Sequence, residues 1–555
     1  MSVKKPISRR TFLAYLGTGA AAIVATSTGL GVLPGKALAA DPLFSFQTNK
    51  ISDAFQPIEP SDSDELVLPK GFKAYVLAAY GDKINSKGDT FGYNNGYTCF
   101  FPIEGSSVNG LLFVGHASIH SVLMHGKKPQ GQPSAEQVKA ALVNQGASVI
   151  EVYRDQEGVW KMNTDSVYAR RMTGYDPIEL TGPAKGSKAV HGASRVQGLL
   201  AGGSGTRTLW NTVLSFEGDH TEASRDAGLP SEQYGWAVEV DPFDAKSGLR
   251  KHTALGRFKH GSAAMTLSKD GRVVVYMGGT SQHGCIYKFV SKGTYAASAG
   301  KRNADLLTDG ALYAANLETG EWVELTIDAV QNKLKDSDFQ IPSPLKKIKE
   351  VLTGMFKEQA DVLTHAHEAA ILLGATPTDR PAGLALHPAD HSLYIAHTSH
   401  SRHGNIHGHL TRLEEAKGDA AAAAFEFDTV SYGGRQSGYS APGAINFDSN
   451  GNLWLSSDIQ ADKLNQGSVA SFKNNGLYLL QTSGSKSGPA MQFASAPMEA
   501  RLTGASFVPD ERTLFLSVQN PGDGTADSAQ PTSHWPHRSN GKPLPAVVAI
   551  SGFNY

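Results

Sequence analysis

A repeated unit of strand, turn and strand runs through much of this 555-residue sequence. Each unit has an apolar stretch, a turn rich in Asp, Asn, Pro or Gly, and a second apolar stretch in which side chains alternate. The unit is clearest at residues 263–275, 383–396, 443–456 and 504–518. Weaker copies pair residues 111–114 with 148–153, and 212–216 with 236–241. The sequence therefore predicts a series of β-hairpins.

Repeated hairpins at irregular spacing are typical of a β-propeller, in which each small sheet buries its faces only against its neighbours. About six such units fit between residues 40 and 555. We therefore predict an all-β fold, a single β-propeller of about six blades. A pair of unrelated β-sandwiches is the alternative architecture.

Two segments do not follow the repeat. Residues 344–374 place Leu345, Ile348 and Leu352 at helical spacing, and Pro377 and Pro381 end the pattern. We expect a helical insertion that packs on the propeller. Residues 41–70 are rich in Pro and Asp, and we expect them to lie irregularly across the surface.

The first 39 residues have the three parts of an export signal. Arg9 and Arg10 lie in a twin-arginine box, residues 13–33 are apolar but diluted by Gly and Thr, and a small-x-small pattern ends at Ala39. We predict a twin-arginine signal peptide cleaved near Ala39, the twin-arginine translocase as a partner, and a periplasmic or secreted protein. A Sec signal or a membrane anchor is the alternative, but a spanning helix needs about 20 strongly apolar residues, so we expect no stable anchor.

Removing residues 1–39 takes five positive charges and no negative ones from a chain of net charge −1, which leaves −6. An acidic protein lacks the positive field that nucleic acid binding requires.

Cys99 and Cys285 are the two cysteines. They either form one disulfide or remain buried thiols, and the apolar, strand-like sequence around each favours buried thiols.

Isolated motifs indicate little about chemistry. His407 and His409 would share one face of a strand and so form a candidate metal pair, although no Cys or carboxylate accompanies them at ligand spacing. Histidines in a Gly-rich turn are the simpler interpretation. Arg207 and Arg380 are candidates for binding an anion, because a guanidinium group donates two parallel hydrogen bonds to phosphate or carboxylate.

Ordered matches over nearly the whole predicted mature chain resemble the PhoX-type alkaline phosphatases. The segments that carry the resemblance are FGYNN (91–95), FFP (100–102), IELTGP (178–183), GRFKH (256–260), IYKFV (286–290), FKEQADVL (356–363), GAT (374–376), DRP (379–381), GHLTR (408–412), VQNPG (518–522) and SHWP (533–536). The resemblance implies a six-bladed propeller with a calcium and iron cluster at one end of its axis. It also implies hydrolysis of phosphate monoesters, in which the metals polarise the phosphate and basic residues hold its oxygens. Arg207 falls near the family's phosphate-binding Lys, and Arg380 matches its Arg.

The sequence departs from the family pattern at many expected metal ligands. Gly115-His116-Ala117 replaces Asn-His-Glu, and Phe216-Glu217-Gly218-Asp219 replaces Cys-Glu-Glu-Asn. Further departures are His260-Gly261 for His-Glu, Gly278-Gly279-Thr280 for Gly-Asp-Asp, Arg380-Pro381-Ala382 for Arg-Pro-Glu, Ala441-Pro442-Gly443 for Ser-Pro-Asp, and Arg501 for an acid. Losing one ligand weakens a metal site, and losing several removes the charge that holds calcium.

The candidate metal ligands that remain are four carboxylates: Glu179, Glu217, Asp219 and Asp458. Three hypotheses follow. The protein is a phosphatase of the family type with calcium and iron, or a non-catalytic propeller without metals that binds a small anionic ligand or a protein partner. In the third hypothesis it is a hydrolase whose transition metal is held by histidines such as His116, His260, His407 and His409. The loss of ligands favours the altered or non-catalytic function.

Overall fold

The predicted hairpins are present as antiparallel strand pairs. A computed structural model of the protein describes residues 55–126, 131–400, 403–482, 488–538 and 541–553. Within these residues, each of the four clearest sequence repeats forms an antiparallel hairpin of two strands. The predicted signal peptide, residues 1–39, lies outside the described part of the chain.

The strands of the described residues are numbered in chain order. The first fourteen are β1 Lys73–Ala79, β2 Asn95–Pro102, β3 Asn109–His116, β4 Gly146–Arg154, β5 Trp160–Asn163, β6 Arg170–Met172, β7 Pro177–Thr181, β8 Arg195–Gln197, β9 Ser204–Arg207, β10 Val213–Phe216, β11 Ala237–Val240, β12 Leu249–His252, β13 His260–Leu267 and β14 Arg272–Gly279. The others are β15 Ile286–Thr294, β16 Gly310–Asn316, β17 Glu321–Glu324, β18 Pro381–Leu386, β19 Leu393–His397, β20 His409–Glu415, β21 Phe425–Tyr432, β22 Pro442–Phe447, β23 Asn452–Ser457, β24 Gly476–Gln481, β25 Met491–Ser495, β26 Arg501–Phe507, β27 Thr513–Gln519 and β28 Ala546–Ser551.

These strands form six sheets in the described part of the chain. Five are β2–β5 with β6 beside β4, β7–β12, β13–β17, β18–β21 and β22–β25, and the sixth joins β26, β27 and β28 to β1. The strands β2, β9, β13, β18, β22 and β26 each contact the next in this order, and β26 contacts β2. This closed ring of sheets confirms the predicted propeller, because two β-sandwiches would not close in this way.

We call the six strands that contact one another around the ring the innermost strands: β2, β9, β13, β18, β22 and β26. Glycines allow neighbouring innermost strands to approach one another closely. A Cβ atom on Gly96 of β2 would lie 2.3 Å from the carbonyl oxygen of Gly203, which precedes β9. A Cβ atom on Gly383 of β18 would lie 2.2 Å from the carbonyl oxygen of Gly443 in β22. The first residues of adjacent innermost strands therefore lie side by side, and these strands run in the same direction around the ring.

The helices of the described residues are short. They are α1 Ser121–His125, α2 Ala135–Asn144, α3 Thr221–Asp226, α4 Ile327–Lys335, α5 Lys349–Met355, α6 Gln359–Thr364 and α7 Ala366–Leu372. The segment predicted as a helical insertion contains α5, α6 and α7, separated by breaks. Leu352 of α5 and Val362 of α6 are fully buried in one apolar cluster with Val273 of β14, so the insertion packs on the sheets. No helix in the described ranges is long and apolar enough to cross a membrane.

The stretch before β1 is irregular where it is described. Residues 55–70 contain no helix or strand longer than a bridge, and Val67 pairs with Ser495 at the edge of one sheet. Cys99 and Cys285 are buried free thiols, as the sequence favoured. Burial raises the pKa of Cys99 to about 11 and that of Cys285 to about 12, so both thiols are protonated near neutral pH.

Candidate functional site

A cavity of about 590 Å³ lies at the centre of the ring. Residues from all six innermost strands line it, and most belong to the first half of each strand. We call the end of the cavity where these strands begin the mouth. Small-molecule sites in proteins have volumes of roughly 300–1,000 Å³, so the cavity is large enough for a small ligand.

An ion pair between Arg501 and Asp458 lies at the mouth. Arg501 is the first residue of β26, and Asp458 follows the last residue of β23. Arg501 Nε lies 2.7 Å from Asp458 Oδ1, and Arg380 Nη2 lies 3.9 Å from Asp458 Oδ2. Arg501 Nη2 also lies 3.4 Å from Asp523 Oδ2. The carboxylate of Asp458 is therefore neutralised by an arginine that stands where the resemblance implies an acid.

A second acid at the mouth is paired in the same way. Lys259, which precedes β13, donates a hydrogen bond from Nζ to Asp219 Oδ2 at 2.7 Å. Partial burial acts to raise the pKa of the Asp219 carboxyl, but the hydrogen bonds from Lys259 and Thr221 outweigh it and lower that pKa. Both carboxylates that line the cavity thus have a basic partner.

Glu217 is buried beneath the mouth and does not line the cavity. Lys251 Nζ donates to its two oxygens at 2.9 and 3.1 Å, and both side chains have no exposed surface. The backbone N–H groups of Leu200, Gly235 and Trp236 donate to the same carboxylate. Because these donors occupy both oxygens, Glu217 stabilises the protein interior in this structure rather than offering a ligand atom to the cavity.

Glu179 and Arg207 lie away from the mouth. Glu179 is in β7, pairs with Lys185 at 2.6 Å, and does not line the central cavity. Arg207 lines the cavity at the far end of β9, where its guanidinium group lies 4.9 Å from the ring centre of Phe101 and Nε donates to Asn211. The structure therefore does not bring Arg207 together with Arg380, which lies at the mouth beside Asp458.

His116 and His260 are both buried, and of the two only His260 lines the cavity. Nε2 of His116 contacts Ser148 Oγ at 2.8 Å, and Nδ1 contacts the Tyr93 carbonyl oxygen at 3.1 Å. The ring of His260 packs against that of Phe258, with ring centres 3.8 Å and planes 32° apart. Burial lowers the pKa of His260 to about 3, so its imidazole is neutral near pH 7.

His407 and His409 do not form the predicted pair. His409 is buried and stacks on His397 at 4.4 Å between ring centres, while Asn405 donates to its Nδ1 at 2.9 Å. His407 precedes β20 and contacts Ser440 Oγ at 2.9 Å. The two side chains make separate contacts because His407 lies in the turn before the strand, where alternation does not apply.

The positions at which the resemblance implies an acid, and this chain has another residue, meet in one place. All of them except Gly279 line the central cavity: Ala117, Gly218, Gly261, Thr280, Ala382, Gly443 and Arg501. Residues that are far apart in sequence have thus lost acidic side chains around a single cavity. This convergence assigns the cavity to the site that the resemblance implies.

A family model for alkaline phosphatase PhoX matches residues 53–522. The chain belongs to the PhoX alkaline phosphatase family. The solved structure of Pseudomonas fluorescens PhoX in complex with vanadate, a transition state analogue, is 28% identical with a TM-score of 0.79, and the match covers 90% of this chain and 100% of that one. A gluconolactonase from Xanthomonas campestris is 11% identical with a TM-score of 0.32, over 90% of this chain and 98% of its own. No curated protein matches the chain.

The donor set of this PhoX-family protein does not fit a calcium and iron cluster. Calcium takes six to eight oxygen ligands, usually several carboxylates that balance its charge. Among the described residues, the carboxylates that line the cavity are Asp219 and Asp458, and each already contacts a basic side chain. Phe216 stands where the resemblance implies a cysteine, and it is fully buried in an apolar cluster.

Two groups of site residues in this PhoX-family protein are not evident from the sequence. The first is Arg501, which replaces an expected acid, together with Asp458. Their contact requires β23 and β26 to be neighbours in space. The second group is His283, His400 and His403, whose ligand atoms lie within 4.8 Å of one another. His400 and His403 belong to the histidine-rich run before β20, and His283 is more than a hundred residues away, so spacing could not reveal the group.

Proposed function

We propose that this PhoX-family protein is exported and binds a small phosphate-bearing or related oxyanion in its central cavity, without the metal-dependent hydrolysis of phosphate monoesters typical of its family. The observation that carries the proposal is the 2.7 Å contact of Arg501 with Asp458 at the mouth. An acid at this position would add negative charge for a cation, whereas an arginine adds positive charge for an anion.

The charge around the mouth supports the loss of the metals. The acids Asp219, Asp458 and Asp523 are matched by Lys259, Arg380 and Arg501. A cluster of several multivalent cations would have to displace these ion pairs and would then find too little negative charge. At the other positions where an acid is replaced the side chains are small, and among those that line the cavity the hydroxyl of Thr280, which donates to the Lys259 carbonyl oxygen at 3.1 Å, is the one oxygen they offer.

The basic residues support the binding of an anion. Arg501 and Arg380 both lie beside Asp458 at the mouth, and a guanidinium group matches the geometry of a phosphate or carboxylate oxyanion. The Pseudomonas fluorescens PhoX structure, which has a related fold, is a complex with vanadate, a transition state analogue. We therefore expect a single small oxyanion to lie between Arg501 and the neighbouring basic side chains, where it would compete with Asp458.

The export part of the proposal depends on the first 39 residues. The twin-arginine box at Arg9 and Arg10 supports transport through the twin-arginine translocase, followed by cleavage near Ala39. The expected product is a periplasmic or secreted protein. Replacing both arginines by lysine in a tagged full-length chain should leave the protein in the cytoplasm with its signal uncleaved.

Phosphate binding and turnover test the proposed site directly. Purified mature protein should show no hydrolysis of p-nitrophenyl phosphate, with or without added Ca²⁺ and Fe³⁺, but should bind phosphate or vanadate in calorimetry. Arg501→Ala should weaken that binding at least tenfold. Arg512→Ala is the matched control, because Arg512 is exposed in the turn between β26 and β27, away from the mouth. Metal-dependent turnover, or equal binding by both variants, would contradict the proposal.

A further inference from the structure

Three histidines from two loops meet beside the mouth. His283 lies between β14 and β15, and His400 and His403 lie between β19 and β20. Their candidate ligand nitrogens all lie within 4.8 Å of one another. Because β14 and β19 both end at the mouth, the group lies on the same face of the propeller as Arg501, although none of its residues lines the cavity. We propose that His283, His400 and His403 bind one divalent transition-metal ion of the zinc class.

Backbone hydrogen bonds hold the two loops in place. His400 N donates to the Asn405 carbonyl oxygen at 2.7 Å, and His403 N donates to the His400 carbonyl oxygen at 3.0 Å. In the other loop, Thr378 donates to the carbonyl oxygen of Gly284, the residue after His283, from both its N–H and its hydroxyl group at 2.8 Å. These hydrogen bonds of His400, His403 and Gly284 limit where the three imidazoles can reach.

A buried carboxylate orients one of the proposed ligands. The Asp379 side chain has no exposed surface, and its Oδ1 accepts a hydrogen bond from His403 Nδ1 at 2.7 Å. Asn405 donates to the other oxygen at 2.8 Å. A histidine that donates from one ring nitrogen to a carboxylate presents the other nitrogen, here Nε2, to a metal, and such outer partners fix both the tautomer and the ring orientation.

The buried charge of Asp379 is a second reason to expect a cation here. Within the described ranges, His403 is the basic group at ion-pair distance from this carboxylate. A buried carboxylate requires a compensating positive charge. A metal ion on Nε2 of His403 would supply that charge through the imidazole, and it would do so at a pH where free histidines are neutral.

The nature of the ligands selects the class of metal. Imidazole nitrogens suit zinc, copper and nickel, whereas calcium and magnesium require oxygen. Three protein ligands leave one position of a tetrahedral zinc ion for water or another small ligand.

Binding would require a small local rearrangement. Tetrahedral zinc with Zn–N bonds of 2.0–2.1 Å places its ligand nitrogens about 3.3 Å apart, so the three atoms must move closer together. The rings of His400 and His403 are now stacked with centres 3.7 Å apart and planes 6° apart. A metal lies in the plane of each ring that binds it, so at least one of these rings must rotate.

Metal titration of the intact mature protein tests this inference. After removal of metals with a chelator, the wild type should take up one equivalent of Zn²⁺, and Co²⁺ should give the visible absorption of tetrahedral coordination. His283→Ala and His403→Ala should each weaken Zn²⁺ binding at least tenfold. His191→Ala is the matched control, because exposed His191, in the loop between β7 and β8, also contacts a carboxylate, that of Glu232 at 3.2 Å.

Two further measurements distinguish the loss of the metal site from a folding defect and from an effect on the phosphate site. Asp379→Asn retains the shape of the side chain and should weaken Zn²⁺ binding by about 10–100-fold, with circular dichroism unchanged. Phosphate binding by His283→Ala should equal that of the wild type, since the two sites use different residues. Absence of stoichiometric Zn²⁺ binding by the wild type, or full binding by both histidine variants, would overturn the inference.

Discussion

Lys251 Nζ lies 2.9 Å from one carboxylate oxygen of Glu217 and 3.1 Å from the other, and neither side chain is exposed. The resemblance to the PhoX family implies that Glu217 belongs to a segment of metal ligands. In this structure its charge is balanced by a lysine of β12 and by backbone donors. An acid retained in the sequence has a role in stability.

This buried pair gives the first prediction. Lys251→Met leaves the Glu217 carboxylate without its counter-charge, so we expect the free energy of unfolding to fall by about 3–5 kcal/mol. Urea unfolding followed by tryptophan fluorescence measures the change. The double variant Glu217→Gln with Lys251→Met removes both charges and should recover much of the loss. A single variant as stable as the wild type would contradict the structural role of the pair.

The second prediction concerns Asp458. Because this carboxylate lies 2.7 Å from Arg501, it competes with any anion for the guanidinium group. Asp458→Asn should therefore strengthen phosphate binding by about tenfold, which corresponds to roughly 1.4 kcal/mol. Calorimetry with phosphate measures the effect, and Asp510→Asn, in the exposed turn after β26, serves as the control. Weaker binding by Asp458→Asn would indicate that the acid itself contacts the ligand.

The third prediction is a loss of stability in acid that arises from buried histidines. Burial lowers the pKa of His260 to about 3 and that of His409 to about 4, whereas a histidine in the unfolded chain titrates near 6.5. Between these values the unfolded state binds more protons, so the free energy of unfolding falls as the pH drops from about 6.5 towards 3. The contribution of His260 is on the order of a few kcal/mol.

Urea unfolding at a series of pH values between 7 and 4 measures this slope. His260→Gln should make the slope shallower, because glutamine does not take up a proton. His191→Gln should leave it unchanged, since His191 is more than half exposed. Equal slopes for His260→Gln and the wild type would show that His260 does not contribute.

The fourth prediction tests the close approach of neighbouring innermost strands. A methyl group on Gly96 would meet the Gly203 carbonyl oxygen at 2.3 Å, so Gly96→Ala must push two sheets apart. We expect the free energy of unfolding to fall by about 1–3 kcal/mol or more. Gly248→Ala is the control, because nothing lies within 4 Å of the added methyl group there. Thermal unfolding compares the two variants.

The fifth prediction concerns the two thiols. Cys99 and Cys285 are buried and have a raised pKa, so neither should react with a thiol reagent such as Ellman's reagent in the folded protein at pH 8. Both should react once the protein is unfolded in urea, without prior reduction. A requirement for reductant would indicate a disulfide.

The sequence predicted the hairpins well because a strand, a turn and the next strand are local in the chain. The unit at residues 443–456, for example, became β22 and β23 with Ile445 opposite Leu455. The segment at 344–374 was predicted as helical, but it contains short helices with breaks near Phe356 and His365. Periodicity of apolar residues does not show where a helix is interrupted.

The site was less predictable because its residues come from different sheets. Family motifs located the positions where an acid or a cysteine is expected and another residue stands, and all of these except Phe216 and Gly279 line the cavity. They did not show that Glu217 faces Lys251 or that Arg501 reaches Asp458, since both contacts depend on how strands pack. The histidine-rich run before β20 is visible in the sequence, but His283 lies in the loop between β14 and β15 of another sheet. The sequence therefore indicated His407 and His409 as the candidate metal pair.

The pairing of β1 with β28 has a consequence for biosynthesis. Lys73 lies opposite Ser551, so one sheet needs residues from both ends of the described chain before it can form. The ring therefore stays open until β28 has been synthesised, because β27 cannot be joined to β1 before then. A nascent chain that stops short of β28 would expose the unpaired edges of β1 and β27.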